Sequence, residues 1–199
     1  MITSPQVEIY WDIPIQEKVH RVLLKQDVLR SVKQIFLDNV EIHRDTDDFN
    51  VGETPFLIGT TQCSIVIERD PQTTNHFYYK LEIDRRSYFR HKQAFYNNFT
   101  VWNVFLNGHS TRIVMKNATM DVWVNGEAKV TEGVFIDEGT AHTFHTHNFQ
   151  MRVVSDTGGI RKDTHKLLIG DQEQPTVHPT VNLDDCIFEA DFTEVAKKI

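Results

Sequence analysis

Cysteine is scarce in this sequence: Cys63 and Cys186 are the only two among 199 residues. Secreted domains of this size usually carry several cysteines paired in disulfides, so these two are expected to be buried free thiols of a cytoplasmic protein. The sequence also lacks a run of about 18 apolar residues, and Met1–Trp11 has neither the basic nor the apolar region of a secretory signal. We therefore expect a soluble, intracellular protein without membrane insertion.

Positive charge is in the minority, with 21 Lys and Arg against 28 Asp and Glu, which gives a formal net charge of −7. A net acidic protein is a poor match for nucleic acid or for an anionic membrane surface, so no nucleic-acid partner is expected. The one basic cluster is interpreted as a solvated strand or connector. It consists of Arg85, Arg86, Arg90, His91 and Lys92.

The motifs that carry most enzyme chemistry are missing. The sequence has no Gly-x-Ser-x-Gly nucleophile elbow, no phosphate-binding glycine loop and no dinucleotide-binding fingerprint. Cys63 lies within a predicted strand, where a thiol is more typical of a core than of an activated nucleophile. The acidic pairs Asp47–Asp48 and Asp184–Asp185 are sequence neighbours, so they do not flank a substrate as catalytic carboxylates do. We expect a non-enzymatic protein with no catalytic residues and no cofactor.

Three histidines, His142, His145 and His147, are the strongest candidates for metal ligands. The spacing of His145 and His147 after a glycine matches the opening of a cupin metal motif, and on a strand their side chains share one face. Such a motif continues with a glutamate, but the corresponding places hold Gln150 and Met151, which are not anionic ligands. We therefore expect a solvated strand face and no physiological metal.

The pattern of apolar residues predicts β structure nearly throughout. Apolar and polar residues alternate in Val7–Trp11 and in Val101–Leu106, as they do in a strand with one buried face. Asn107–Gly108 and Asn125–Gly126 are strong hairpin signals, because both residue types tolerate the positive φ of a type I′ turn. Few segments before residue 184 show the period of an amphipathic helix.

The two halves of the chain resemble each other in the same order along the sequence. The matched segments are Trp11–Ile15 with Trp102–Leu106, Arg21–Lys25 with Arg112–Lys116, Gln62–Val66 with Gln150–Val154, and Lys80–Ile83 with Lys166–Ile169. Because Trp, Arg and Lys repeat along with the aliphatic residues, an internal duplication is favoured over a chance match of β-rich stretches.

The duplication predicts an all-β fold of two tandem, homologous, antiparallel domains, each a β-sandwich or barrel-like structure. The expected divisions are residues 1–94, residues 98–178 and a C-terminal tail at 179–199. Trp11, Trp102 and Trp123 are predicted to lie in the structural core. In the tail, early acidic residues and late lysines favour a short helix. The apolar residues Ile187, Phe188 and Phe192 could dock the tail on a domain, and the alternative is a mobile tail.

Several segments are similar to those of one known family, the Fas apoptotic inhibitory molecules. They are Met120–Gly126, Gly133–Thr140, Val51–Gly59 and Lys80–Asp84. The resemblance implies a cytosolic, non-enzymatic protein of two β domains that opposes death-receptor apoptosis, with links to protection against stress and protein aggregation. The chain departs from the family pattern at Val124, where relatives have Cys, and at Thr46, Asp47 and Asp48, where relatives carry a bulky apolar group.

An interaction protein is therefore the expected function, with other proteins as partners. A β domain can bind a polypeptide at an exposed strand edge, where backbone N–H and C=O groups are unpaired, and edge pairing can equally form a homodimer. A β module that holds a small ligand in an apolar cavity is the alternative. A metal-dependent enzyme ranks third.

Overall fold

The structure, a computed structural model, describes residues 6–27, 30–46, 51–73, 75–137, 139–146, 148–156, 164–177 and 186–192. These residues form 18 strands and one helix, α1 (Tyr88–Asn98), which confirms the all-β class. The strands make four antiparallel sheets, each of them open and with two edge strands. No helix in the described residues is long and apolar enough to span a membrane.

The chain divides into two compact units. Among the described residues, the first unit holds 6–15, 19–93 and 186–192, and the second holds 16–18 and 94–177. The division falls inside α1, between Gln93 and Ala94. The described part of the C-terminal tail thus belongs to the first unit.

The first unit consists of two sheets. Sheet A is a meander of β1 (Gln6–Ile15), β2 (Lys18–Asp27), β3 (Val32–Leu37) and β4 (Val40–Asp45). Sheet B contains β5 (Gly52–Ile58), β6 (Thr61–Arg69), β7 (His76–Ile83), the short β8 (Arg86–Ser87) and β18 (Ile187–Asp191), with the order β18-β7-β6-β5 and β8 beside β7.

One apolar core joins sheets A and B. Along β7 every second side chain is buried, which places Tyr79 and Leu81 in the core and turns Lys80 and Glu82 away. Trp11 of sheet A enters the same cluster and is 1% exposed. Since each sheet contributes one face to a shared core, the unit is a sandwich.

The second unit repeats this arrangement. Sheet C contains β9 (Phe99–Leu106), β10 (His109–Lys116), β11 (Val122–Val124) and β12 (Glu127–Lys129), in the order β12-β11-β10-β9. Sheet D contains, in spatial order, β13 (Glu132–Ile136), β14 (Gly139–Thr146), β15 (Phe149–Asp156), β16 (Thr164–Ile169) and β17 (Gln172–Gln174). Trp102 of sheet C and Phe144 of sheet D share the core.

The turns show the duplication in atomic detail. Asn107–Gly108 and Asn125–Gly126 have positive φ at both residues, which confirms the predicted hairpin turns. In the second unit Arg112 N–H donates to Asn125 Oδ1 at 2.9 Å, and Asn125 N–H donates to Arg112 O at 2.8 Å. In the first unit Arg21 and Asp38 make the same two bonds, both at 2.8 Å.

The C-terminal tail differs from the helix predicted for it. Ile187–Asp191 is a strand that pairs antiparallel with β7. Alternation along this strand aims Phe188 at the core, where its ring meets that of Trp11 edge-on at 5.5 Å between centroids. Phe192 is buried, and its ring lies 5.7 Å from that of Phe77. Of the two alternatives for the tail, docking holds for residues 186–192.

Helix α1 lies where the sequence pattern indicated only a polar connector. Ser87 caps it, since its Oγ accepts a 3.4 Å bond from Arg90 N–H. Two turns further on, Phe95 packs with Val101 and Val114 on the face of sheet C opposite the main core. Charged residues separate the aromatic residues of α1 in the sequence, so the apolar pattern did not predict a helix there.

Trp123 is not a member of the main core. On β11 the neighbouring residues Val122 and Val124 are buried in that core, so alternation places Trp123 on the opposite face, where it is half-buried. Trp102, by contrast, is 0% exposed. The two tryptophans of the second unit therefore differ in how much they stabilise it.

One arginine of the second unit lacks the carboxylate that its counterpart has. In the first unit Arg21 Nε and Nη2 donate to the two carboxylate oxygens of Asp12 at 2.7 and 2.9 Å. In the second unit Arg112 lies opposite Asn103, and the same two nitrogens are buried without a hydrogen-bond partner among the residues that the structure describes. Burial lowers the pKa of Arg112, an effect opposed by the Tyr96 hydroxyl, to which the guanidinium donates.

Replacement of Trp102 by alanine should unfold the second unit. Removal of a fully buried indole typically costs about 3–5 kcal/mol, a large share of the stability of a domain of this size. Thermal unfolding followed by circular dichroism measures the loss. Trp123→Ala is the matched control, expected to lose clearly less, and equal melting temperatures for Trp102→Ala and the parent protein would contradict the core position.

The Asn103→Asp substitution should stabilise the second unit by about 1–2 kcal/mol, because it gives the buried Arg112 nitrogens a charged acceptor. A carboxylate paired in the folded state has a depressed pKa, so the gain should be present at neutral pH and disappear as the pH falls below about 4. Urea unfolding at pH 7 and pH 3 tests both points. Asn103→Ser is the uncharged control, and a substitution that is neutral at pH 7 would show that the carboxylate does not reach Arg112.

Candidate interaction surface

Strand β13 forms an edge of sheet D. It pairs with β14 on one side, and no described residue pairs with its other side. All five of its residues are exposed, and they include the adjacent apolar residues Val134, Phe135 and Ile136. Phe135 is 93% exposed and Val134 56%. The backbone N–H and C=O groups of this edge are therefore available together with a row of apolar side chains.

The register explains why Phe135 is left uncovered. Gly133 lies opposite His142 and Phe135 opposite Thr140, on the face that carries the core residue Phe144 further along β14. The Phe135 side chain thus points to the face of sheet D that carries the core. Its strand, β13, lies outside the buried cluster, so no described core residue covers it. Burial of this residue contributes nothing to the stability of the isolated chain.

Gly133 packs closely against the ring of His142. A Cβ at residue 133 would lie 3.1 Å from His142 Cε1, closer than nearly all real contacts. The His142 ring therefore lies beside β13 at this residue, and its Nδ1 is buried without a hydrogen-bond partner in the described part of the chain. The backbone pairing with β14 fixes the position of the edge strand.

Three other edge strands are protected by their sequence. β5 carries Pro55 at its centre, and proline has no N–H to offer an incoming strand. β4 presents the Glu41–Arg44 ion pair, and β12 the Glu127–Lys129 pair. Charged edges and edge prolines both discourage pairing with another chain. β13 has no proline and no ion pair among the described residues, and its one charged residue, Glu132, lies at its start, which makes Val134–Ile136 the most accommodating of these edges.

The edge of β9 is covered by another segment of the chain. Val177 N–H donates to Val101 O at 2.7 Å, and Thr176 forms an isolated bridge with Trp102. The segment after β17 thereby satisfies part of this edge of sheet C. Similar cover is supplied to β7 by the tail strand β18.

The histidine candidates do not converge. His142 lies on the core-facing side of β14, whereas His145 is exposed on the opposite side, as their odd spacing requires. His147 lies outside the described residues. In the part of the chain that the structure describes, no group of three His, Cys, Asp or Glu side chains is placed to hold a metal ion.

The thiols are structural. Cys63 and Cys186 are free and buried. Burial raises the pKa of the Cys63 thiol to about 12, helped by the nearby negative charge of Asp84. A thiol in this state remains protonated at neutral pH, so Cys63 is not an activated nucleophile. The acidic pairs singled out in the sequence, Asp47–Asp48 and Asp184–Asp185, lie outside the described residues.

Sequence reasoning missed the position of the exposed edge. The run Val134-Phe135-Ile136 is apolar on both faces, which is equally typical of a buried central strand. The distinguishing signal is its short length between Glu132 and Asp137, two charges that flank the apolar run.

The native thiol of Cys63 should react far more slowly than an ordinary cysteine. At pH 8 a pKa near 12 leaves a thiolate fraction about a thousandfold smaller than that of a free cysteine, and burial hinders access further. The measurement is labelling with a chromogenic disulfide in a Cys186→Ala variant, so that Cys63 is the single thiol. The same variant in guanidinium is the control. Equal labelling rates in the two states would contradict the buried, protonated thiol.

Comparison with known proteins shows the family of this chain. The model of the family described as Fas apoptotic inhibitory molecule (FAIM1) matches residues 7–177. The chain is similar to Fas apoptotic inhibitory molecule 1 of Mus musculus, with 28% identity over 83% of this chain and 94% of the mouse protein. It is also similar to the Homo sapiens protein of that name, with 26% identity over 84% of this chain and 95% of the human protein. The matches span both units and include β13 and its surroundings, and the chain belongs to the Fas apoptotic inhibitory molecule family.

Proposed function

We propose that this protein is a non-enzymatic, cytoplasmic interaction protein that restrains apoptosis triggered through death receptors. The names of the mouse and human relatives support the apoptotic part of the proposal. The protonated state of Cys63 fits a protein that binds without chemistry. Two free, buried cysteines fit a reducing compartment.

The observation that carries the proposed mode of binding is the exposed edge of β13. An extended segment of a partner can add to sheet D as a sixth strand, with main-chain hydrogen bonds to β13. The neighbouring Val134, Phe135 and Ile136 then supply apolar contacts to both faces of the added strand. Affinity comes from the backbone and the apolar contacts, so the edge accepts many sequences.

Such an edge suits two kinds of partner. One is an extended segment of a protein in death-receptor signalling. The other is an unfolded, stress-damaged chain, whose strands expose the same unpaired groups. Capture of these chains is the proposed route to protection against aggregation. A second copy of the protein can also pair at β13, which would form a homodimer that competes with both.

The Phe135→Ser substitution should weaken this activity several-fold without a loss of stability, because the side chain is almost fully exposed in the folded chain. Light scattering from a heat-stressed client protein, at rising ratios of added protein, measures the suppression of aggregation. Survival of cells after stimulation of a death receptor is the second readout. Val134→Lys, which places a charge on the edge, should act in the same direction.

Phe105→Ser is the matched control, because Phe105 is also a strongly exposed phenylalanine of the second unit, 75% exposed, but lies on β9. It should retain full activity in both assays. Full activity of Phe135→Ser would remove β13 as the binding edge. Equal losses for the two phenylalanine variants would indicate non-specific apolar adsorption instead.

A further inference from the structure

A separate cleft lies on the outer face of sheet B, in the first unit. Its volume is about 610 Å³, within the range of sites that hold small ligands or short peptide segments. Strands β5, β6 and β7 line it, and Arg85 from the turn after β7 closes one end. The cleft belongs to a different unit from β13, and its role does not depend on the function proposed above.

Two carboxylates of the cleft have no ionic partner within the described residues. Glu53 of β5 and Glu82 of β7 both line it, and neither is in an ion pair in that part of the chain. Lys80 shares their face of the sheet, but its ammonium is bound to Glu68. The cleft therefore contains two carboxylates that form no ion pair among the described residues, against the single positive charge of Arg85.

A buried hydroxyl lies between them. The register places Ser64 of β6 directly between Pro55 and Glu82, with Glu53 one row further along the same face. Ser64 is 6% exposed, lines the cleft, and has no hydrogen-bond partner among the described residues. The Ser64 hydroxyl opens into the cleft, where a ligand can donate a hydrogen bond to its oxygen.

The second unit provides an internal comparison. A cleft of about 250 Å³ lies at the corresponding place on sheet D. There Arg152 takes the place of Ser64, between Thr143 and Leu168 in the register, and Asp171 follows the turn where the first unit has Arg85. The cleft is thus a product of the duplicated fold, whereas its acidic lining is particular to the first unit.

We propose that the cleft of the first unit binds a lysine side chain carried on an extended polypeptide. The ammonium lies between Glu53 and Glu82 and donates to Ser64 Oγ. The aliphatic stem of the lysine covers Pro55 and Leu57, the apolar residues of the cleft. Arg85 donates to a backbone carbonyl of the bound segment.

The dimensions of the sheet agree with this arrangement. Neighbouring strands are about 4.8 Å apart, so the columns of β5 and β7 are separated by about 10 Å across Ser64. Glu53 lies one row away from Glu82, about 7 Å along the strands, so their Cα atoms are about 12 Å apart on the diagonal past Ser64. Two glutamate side chains that lean inward across this diagonal leave room for one ammonium group. The Lys80–Glu68 pair shows that a lysine is accommodated against this same sheet face.

The test uses the full-length protein labelled with ¹⁵N. The probe is the peptide acetyl-Ala-Leu-Lys-Leu-Ala-amide, and the control peptide has norleucine in place of lysine. We expect saturable shifts of the Ser64 and Glu82 amide signals with the lysine peptide and none with the norleucine peptide. Nα-acetyl-lysine amide should bind more weakly than the peptide, because it lacks the flanking segment.

Variants locate the site. Glu82→Gln should weaken binding of the lysine peptide about tenfold, as expected for loss of one charge-assisted hydrogen bond, and Glu53→Gln should act likewise. Asp171→Asn, in the cleft of the second unit, is the matched control and should bind as the parent does. The amide spectrum of each variant verifies its fold.

Equal binding of the norleucine peptide, no saturable binding, or unchanged affinity in both glutamine variants would overturn the proposal. Equal affinity for the peptide and for Nα-acetyl-lysine amide would overturn its polypeptide part and leave a site for a free amine. Phe135→Ser should bind the lysine peptide normally, so failure of this site and failure of the β13 edge are distinguishable.

Discussion

Unpaired strand edges are the constraint on which the rest of this structure depends. A sandwich of two open sheets buries a core but leaves edge strands with free N–H and C=O groups, and each must be paired, covered or blunted. In the first unit the tail strand β18 covers β7, and Pro55 blunts β5. In the second unit residues 176–177 cover part of β9. The C-terminal segment is thus a structural part of the first unit.

The duplicated units keep the same backbone while their side chains have diverged. The hydrogen bonds between Arg21 and Asp38 recur between Arg112 and Asn125, because they fix the turn that joins two strands. The charges beside them do not recur: Asp12 neutralises Arg21, whereas Asn103 stands opposite Arg112. The two units therefore share the hydrogen bonds that hold this turn, whereas their charged side chains differ. The charged surfaces of the two units can accordingly have separate roles.

Much of the fold follows from patterns visible in the sequence. Alternation, the Asn-Gly turns and the internal repeat predict the sheets, because each depends on neighbours in the chain. The tail strand was not predictable in this way, since Ile187–Asp191 becomes a strand only through pairing with β7, more than 100 residues away in sequence. Helix α1 was missed because its apolar residues serve a small separate cluster. Trp123 was misplaced because strand alternation puts its neighbours Val122 and Val124, and not the tryptophan, in the main core.

The candidate sites depend still more on tertiary structure. The histidine spacing suggested convergence, but strand parity separates His142 from His145. The cleft on sheet B brings Glu53 and Glu82 to one face from strands distant in sequence, and only the register shows that Ser64 lies between them. No local pattern marks these three residues as a group.

The residues of β13 are not explained by folding. A side chain as exposed as Phe135 stabilises the folded chain little, and a row of apolar residues on a free edge increases the tendency to aggregate. A polar residue at this place would fold equally well and associate less. Glu132 and Asp137 flank the run, and Gly133 admits His142, so that the edge is held in position and bounded by charge. An apolar edge that is positioned in this way, while β4, β5 and β12 carry ion pairs or proline, is the feature on which the proposed binding at β13 rests.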